Sequence, residues 1–381
     1  MSHQSSQLIY QGIKMRVALI YLGRRGAGGW ISFELAQQLE EKSEAIIVIS
    51  HDMEQLFSWK SLRAEKVFTR TFRNIIFAII SLIIPLQINA LIRKIKQHKP
   101  DILLFTMFHP WNAYIQKKMQ DVPSVAFVHD PRPHPDLMGW IYGKLEQASI
   151  SKATRCIILS KNLVEDLVTR GISKNHIDII PLGLFRRITP NSSLPSSKRS
   201  IPTLLFFGRI VPYKGIETLL QAYAELHKTR QIRLIIAGEG DLRPFHDFLY
   251  NLPDIEIMNY WIPEHEIGNI FSKSDLLILP YTSASQSGVI PIAASFSLPV
   301  IATRAGGIPE QIEDGISGWL IYPNNKNALI TAIKDALDHP DIAQQRGMAL
   351  NIRYQNEFNW EKIGQRVLES LNIAIQSKGK K

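Results

Sequence analysis

At 381 residues the chain exceeds the ~250–300 that one hydrophobic core usually serves, so two domains are expected. With 45% hydrophobic and 20% charged residues it has the composition of a soluble globular protein, and its single cysteine, Cys156, excludes an internal disulfide and a cysteine-based metal site. Of the net charge of +10, +8 falls in residues 1–185, which suggests either an anionic partner (nucleic acid or membrane lipid) or simply a basic soluble protein.

The first fourteen residues have no apolar signal core, and a cytoplasmic protein is expected. Twelve short β-branched runs then alternate with helical patterns. The first six lie at 16–21, 45–50, 101–105, 124–128, 156–159 and 177–180. Six more lie at 203–207, 233–237, 254–257, 276–279, 299–302 and 319–321. This alternation predicts an α/β protein of two doubly wound parallel sheets. Residues 186–202 are rich in Pro, Ser and basic side chains and lack periodicity, as a linker would. The expected plan is therefore a first domain over 1–185, a linker over 186–202 and a second domain over 203–358. Residues 359–381 would form a last helix packing back toward the first domain and a basic tail. Cys156 sits in a strand-like run and is expected to be an apolar filler.

Several turns along this plan suit a ligand. Gly23-Arg24-Arg25-Gly26-Ala27-Gly28-Gly29 follows the first run and precedes a helical pattern at 31–39. Glycines there permit close approach to a helix terminus, although no GxGxxG with a suitably spaced acid is present. Residues 75–92 contain no charge, and basic residues flank them on both sides. Buried helices of the first domain, a surface dipping into the bilayer interface, and a membrane span all remain open for this segment. Pro85, Gln87 and Asn89 count against the span, and the flanking cations favour the interface over complete burial. His109-Pro110 and His129-Asp130 close two adjacent strands, where open α/β sheets bind ligands. A histidine there can bond a substrate hydroxyl or share protons near neutral pH.

In the second half, Phe206-Phe207-Gly208-Arg209-Ile210-Val211-Pro212-Tyr213-Lys214-Gly215 joins a strand to a helix. Two cations on a glycine turn before a helix N-terminus suit a diphosphate. Gly238-Glu239-Gly240 is another strand-end turn. The polar loop 280–288 leads to a helical pattern at 289–297, and the amides of Ser287, Gly288 and Val289 would make a second phosphate cradle. Gly306-Gly307-Ile308-Pro309-Glu310 follows a further strand.

In combination these residues resemble the family-four glycosyltransferases of GT-B fold. The match runs through Gly28-Gly29 with Glu34-Leu35-Ala36, His129-Asp130, Gly208-Arg209…Lys214-Gly215 and Gly238-Glu239-Gly240. It continues through Asp275 ahead of Leu279-Pro280, and Gly306-Gly307-Ile308-Pro309-Glu310…Asp314-Gly315…Gly318-Trp319. The resemblance implies two Rossmann-like domains facing each other across a crevice, the second holding a UDP- or GDP-sugar and the first the acceptor. It implies a retaining, metal-independent hexosyltransferase that requires no cofactor. The acceptor would be a glycan or lipid-linked, as in cell-surface polysaccharide or glycolipid synthesis. Arg209, Lys214 and His129 would act catalytically. Gly28, Gly29, Gly208, Gly238, Gln286, Ser287, Gly288 and Val289 would bind the nucleotide sugar. An anionic membrane surface is a further expected partner of the first domain, with the protein peripheral on the inner face. Nucleic acid is not expected, because the cations surround an apolar segment rather than alternating with aromatics. One departure stands out: the family's two glutamates fall at Ala284 and Ile292. The alternative is accordingly a catalytically silent nucleotide- or glycan-binding relative that supports a partner enzyme.

Overall fold

The structure, a computed structural model, describes residues 14–54, 56–72, 75–131, 137–186, 188 and 201–378. It divides into two compact units, Met1–Pro181 with Trp360–Lys381, and Leu182–Asn359. Most of the expected linker and the last three residues of the basic tail lie outside the described residues.

The first unit is built on strands β1 (Arg16–Tyr21), β2 (Glu44–Ser50), β3 (Glu65–Thr69), β4 (Ile102–Phe105), β5 (Ser124–Val128), β6 (Arg155–Ile158) and β7 (Ile177–Ile179). They form one parallel sheet in the order β3-β2-β1-β4-β5-β6-β7. The central strands read as unbroken apolar runs because helices cover both faces of such a sheet. Strand β3 was not among the expected runs. It lies at the sheet edge, and Glu65-Lys66-Val67-Phe68-Thr69 carries too few apolar side chains to signal a strand. Cys156 is buried in β6, and burial pushes its thiol up to about 12, as suits a core filler.

Residues 75–92 do not form one spanning helix. A short helix, Ile75–Ile80, ends in a turn, and a second, Leu86–Gln97, starts after Pro85. Proline suits a helix start and is disfavoured inside one, which accounts for the break. Ile88, Leu91, Ile92 and Ile95 of the second helix enter the core. Among the described residues, no helix is long and apolar enough to cross a membrane.

The second unit contains β8 (Thr203–Phe207), β9 (Arg233–Ala237), β10 (Ile255–Met258), β11 (Leu276–Leu279), β12 (Val300–Thr303) and β13 (Trp319–Ile321). Their parallel order is β10-β9-β8-β11-β12-β13. In both sheets the order reverses beside the first strand, between β1 and β4 and between β8 and β11. The units also share an anchor at the opposite sheet end. Asp101 accepts from the Arg16 amide at 2.8 Å, and Asp275 from the Thr203 amide at 2.8 Å. Asp275, part of the family-like pattern, thus fixes the start of β8.

The helix Trp360–Lys378 belongs to the first unit. It buries Trp360, Ile363, Val367, Leu371 and Ala374. Ser370 donates to Asp178 at 2.6 Å, and Asp178 also takes two bonds of 2.7 Å from Arg155. Residues 182–185, expected in the first domain, sit with the second unit. The Leu184 amide donates to the Phe358 carbonyl at 3.3 Å, and Ser295 Oγ to the Phe185 carbonyl at 2.9 Å.

Candidate active site

Ligands of open α/β sheets bind beyond the strand carboxyl ends where the order reverses. In the second unit that point lies between β8 and β11. The backbone leaves β8 at Gly208 with φ +117°, a conformation that strains any residue with a Cβ. A Cβ there would also come within 3.2 Å of Lys214 Nζ, so the missing side chain makes room for the ammonium group. Gly238, at the end of β9, packs against the Gly208 carbonyl, and Val289 Cγ2 would lie 3.9 Å from a Cβ on Gly208. Gly208, Lys214, Gly238 and Val289 therefore meet at one place.

Lys214 Nζ donates to Tyr281 Oη at 2.7 Å, across the reversal point from the β8 turn to the loop after β11. The Thr282 amide closes the same gap by donating to the Tyr213 carbonyl at 2.8 Å. Arg209 is exposed, and its guanidinium donates to Tyr213 Oη at 3.2 Å. Among the described residues neither cation has a carboxylate partner, whereas Arg16, Arg155, Arg170, Arg230 and Arg304 are all ion-paired. Two unneutralised cations beside a glycine turn leave charge available to an anionic ligand. Changing Tyr281 to phenylalanine removes the bond that places Lys214. We expect a roughly tenfold loss of nucleoside diphosphate affinity, measured by titration calorimetry.

The loop after β11 departs from expectation. Gln311 Oε1 accepts from the Ser287 amide at 2.7 Å, and Gln311 Nε2 donates to the Ser287 carbonyl at 2.9 Å. The Val289 amide donates to Ser287 Oγ at 3.3 Å. These bonds consume two of the three amides expected to form a phosphate cradle, so Ser287, itself buried, fixes the loop. The helix is also shorter than expected, Val289–Ser295, and Ser297 beyond it has φ +50°. Gly288 lies at its N-cap. Gln286 Oε1 is buried without a hydrogen-bond partner among the described residues, a costly arrangement that a ligand hydroxyl would relieve. Ala284 and Ile292, at the positions of the family's glutamates, are both buried.

In the first unit the reversal lies between β1 and β4. Thr106, at the end of β4, joins the expected residues. Its hydroxyl lies 2.6 Å from Ser32 Oγ, which also lies 2.6 Å from the Gly28 carbonyl, and its own carbonyl lies 2.9 Å from His129 Nε2. Gly28 and His129 are thereby held together. A Cβ on Gly28 would collide with the Met107 methyl, so the close approach there is to a side chain of the protein. The Gly29 amide donates to the Gly26 carbonyl at 3.1 Å.

Burial lowers the pKa of His129, partly offset by its bond to Thr106. The ring is therefore neutral at pH 7, with Nε2–H donating and Nδ1, which has no hydrogen-bond partner among the described residues, able to accept a hydrogen bond from a hydroxyl. Proton sharing near neutrality, one of the two roles open to it from sequence, is disfavoured. Burial likewise brings His109 down to about 3, and its Nδ1 accepts from the Trp111 amide at 3.2 Å. A histidine depressed in the folded state adds stability above its unfolded pKa of ~6.5 and loses it as pH falls toward the folded value. At pH 4.5 we expect a loss of roughly 2 kcal/mol, discounted because the ring is half-buried. Urea unfolding of the wild type and of His109→Asn at pH 7 and 4.5 measures it, and the variant should lose less.

Sequence reading missed Thr106, Tyr281 and Gln311. Thr106 closes a strand as His129 does, and the strand-end rule would have found it. Gln311 carries no such signal, since its partner Ser287 is 24 residues away.

Residues 28–184 match the family described as Glycosyltransferase Family 4, and residues 201–339 match Glycosyl transferases group 1. The chain belongs to the family-four glycosyltransferases. Among curated relatives, the chain is 28% identical over 241 residues to D-inositol 3-phosphate glycosyltransferase of Arthrobacter sp. (strain FB24), covering 59% of this chain and 57% of the relative. It is 25% identical over 277 residues to the protein of that name from Corynebacterium kroppenstedtii, covering 67% and 60%. The chain thus spans less than two thirds of the length of these relatives. Among solved structures, Anabaena HepE, determined in complex with UDP and glucose, superimposes with a TM-score of 0.74 at 17% identity over 94% of this chain and 100% of that one. Sucrose-phosphate synthase of Thermosynechococcus elongatus gives 0.73 at 18% identity, over 96% and 100%. At such identities the likeness is one of fold, and the fold is GT-B.

Proposed function

We propose that the protein transfers a sugar from a UDP- or GDP-sugar to a glycan or lipid-linked acceptor, with retention of configuration. The observation that carries the proposal is the pair of unneutralised cations, Arg209 and Lys214, at the order reversal of the second sheet. Departure of the nucleotide breaks the bond between the anomeric carbon and the diphosphate, and negative charge gathers on the leaving oxygen. Cations fixed at that point stabilise the transition state more than the ground state. They also supply the charge that a divalent ion would otherwise bring. The acceptor oxygen then bonds to the anomeric carbon from the face the nucleotide leaves, and its proton passes to the departing phosphate. Gln286 Oε1 in the second unit and His129 Nδ1 in the first can each accept a hydrogen bond from a substrate hydroxyl. HepE, solved with UDP-glucose, supports a nucleotide sugar as the donor class.

Incubating the protein with UDP- and GDP-sugars, and assaying hydrolysis and transfer, tests the proposal. Activity that survives alanine at both Arg209 and Lys214 would refute the mechanism. A second reading, a silent nucleotide- or glycan-binding relative, is favoured by the buried Ala284 and Ile292 where the family carries carboxylates. Saturable nucleotide binding without turnover of any donor would select it.

A further inference from the structure

Residues 66–99 carry seven Lys and Arg and no Asp or Glu. In the fold this stretch places an apolar tip beside a cationic helix. The turn joining Ile75–Ile80 to Leu86–Gln97 presents Ile83, Ile84 and Leu86 to solvent at 78%, 68% and 74% exposure, and Ile76, Phe77 and Ile80 are exposed next to them. Contiguous apolar surface of this kind marks an interaction site in a soluble protein.

The tip is held from within. Buried Trp111 donates through Nε1 to Ser81 Oγ at 2.7 Å and approaches the Ala78 carbonyl at 3.3 Å. Gln87 Nε2 reaches back to Thr69 Oγ1 at 3.4 Å and to the Arg70 carbonyl. These bonds hold the segment on its inner side and leave Ile83 and Ile84 facing outward. Along the second helix, Arg93 and Lys94 stand seven and eight residues after Leu86 and are exposed like it. Those spacings return to the same helix face, about 10–12 Å from the tip at 1.5 Å per residue, within about one and a half Debye lengths at physiological salt.

We propose that this tip docks on an anionic lipid surface. The isoleucines and Phe77 enter the interface between headgroups and acyl chains, while Arg93, Lys94 and their basic neighbours meet the headgroups. An apolar tip rimmed by cations, without one carboxylate in 34 residues of sequence, complements an anionic bilayer. A second protein copy carrying the same cations would bring like charges together. The patch leaves the carboxyl end of β3, and Arg24 of the Gly23–Gly29 turn donates to the Thr71 carbonyl at 2.9 Å beside it. Docking therefore brings the carboxyl ends of the first sheet close to the membrane, where a lipid-linked acceptor would lie. The inference does not depend on the transfer reaction and can fail separately from it.

Flotation of the full chain with vesicles tests it, using phosphatidylcholine alone and phosphatidylcholine mixed with phosphatidylglycerol. The wild type should float with the anionic vesicles and lose most of that binding at high salt. Arg93→Gln with Lys94→Gln should lower binding roughly tenfold at low salt. Ile83→Ser with Ile84→Ser should lower it by at least about as much, with an unchanged urea midpoint because both side chains are exposed. Failure of the wild type to bind anionic vesicles, or equal binding by the isoleucine variant, overturns the proposal. So does sedimentation velocity showing a concentration-dependent dimer that the isoleucine variant abolishes while vesicle binding persists.

Discussion

Alanine at Lys214 should lower kcat for sugar transfer by about 10²–10³, the loss typical of removing one preorganised donor to a developing anion. Lys214 is the better placed of the two cations: its ammonium sits over Gly208 and is fixed by Tyr281 at 2.7 Å. Arg209 is exposed and, among the described residues, bonded only to a tyrosine hydroxyl at 3.2 Å, so it is less firmly placed. Alanine at Arg209 should cost roughly 10-fold to 10²-fold, shared between kcat and KM. In the proposed mechanism Lys214 meets the charge that develops during bond breaking, so its loss should appear mainly in kcat. Neither change removes a buried apolar group, and unfolding free energies from urea curves should change by less than about 1 kcal/mol. Steady-state kinetics on a responsive donor, with unfolding curves alongside, separates catalytic loss from collapse of the site.

A second large effect is expected far from any ligand. Ending the chain after Asn359 removes the helix that completes the first unit, and with it the buried Trp360, Ile363, Val367, Leu371 and Ala374. Burying these side chains contributes roughly 7–10 kcal/mol, comparable to the whole stability of a typical domain at ~5–15 kcal/mol. The truncation also strips Ser370 from Asp178, leaving Arg155 to hold that carboxylate alone. The shortened protein should not yield a soluble folded first unit. A point variant tests the same packing without deleting chain. Val367→Asp puts an unpaired charge in the core and should cost more than about 4 kcal/mol, read as a fall in the urea midpoint. A truncated chain that unfolds like the full one would show that the helix is dispensable.

The features of the second unit's site differ in how far the sequence reveals them. The β8 turn is local: strand, Gly208, two cations and helix lie within some twenty residues, and each has a sequence signature. The central strands are legible for a related reason, since a parallel strand buried on both faces must be apolar throughout. Edge strand β3 is buried on fewer sides and carries charge, and it gave no such signal. What holds the site in place is non-local. Lys214 is bonded to a tyrosine 67 residues away, and Ser287 is clamped by a glutamine 24 residues away. No period or spacing encodes those partners. The uncharged segment 75–92 shows the same limit in another form. Its composition fits a buried, an interfacial or a spanning segment, and only the break at Pro85 and the bonds from Trp111 decide which side chains face outward.

The central claim is that a nucleoside diphosphate binds at the order reversal of the second sheet, and a crystal structure of the protein with UDP or GDP tests it most directly. The account predicts diphosphate density beside the Gly208 turn, within hydrogen-bonding distance of Lys214 Nζ and the Arg209 guanidinium. Density for the diphosphate elsewhere, with both cations still bonded only to their tyrosines, would contradict it.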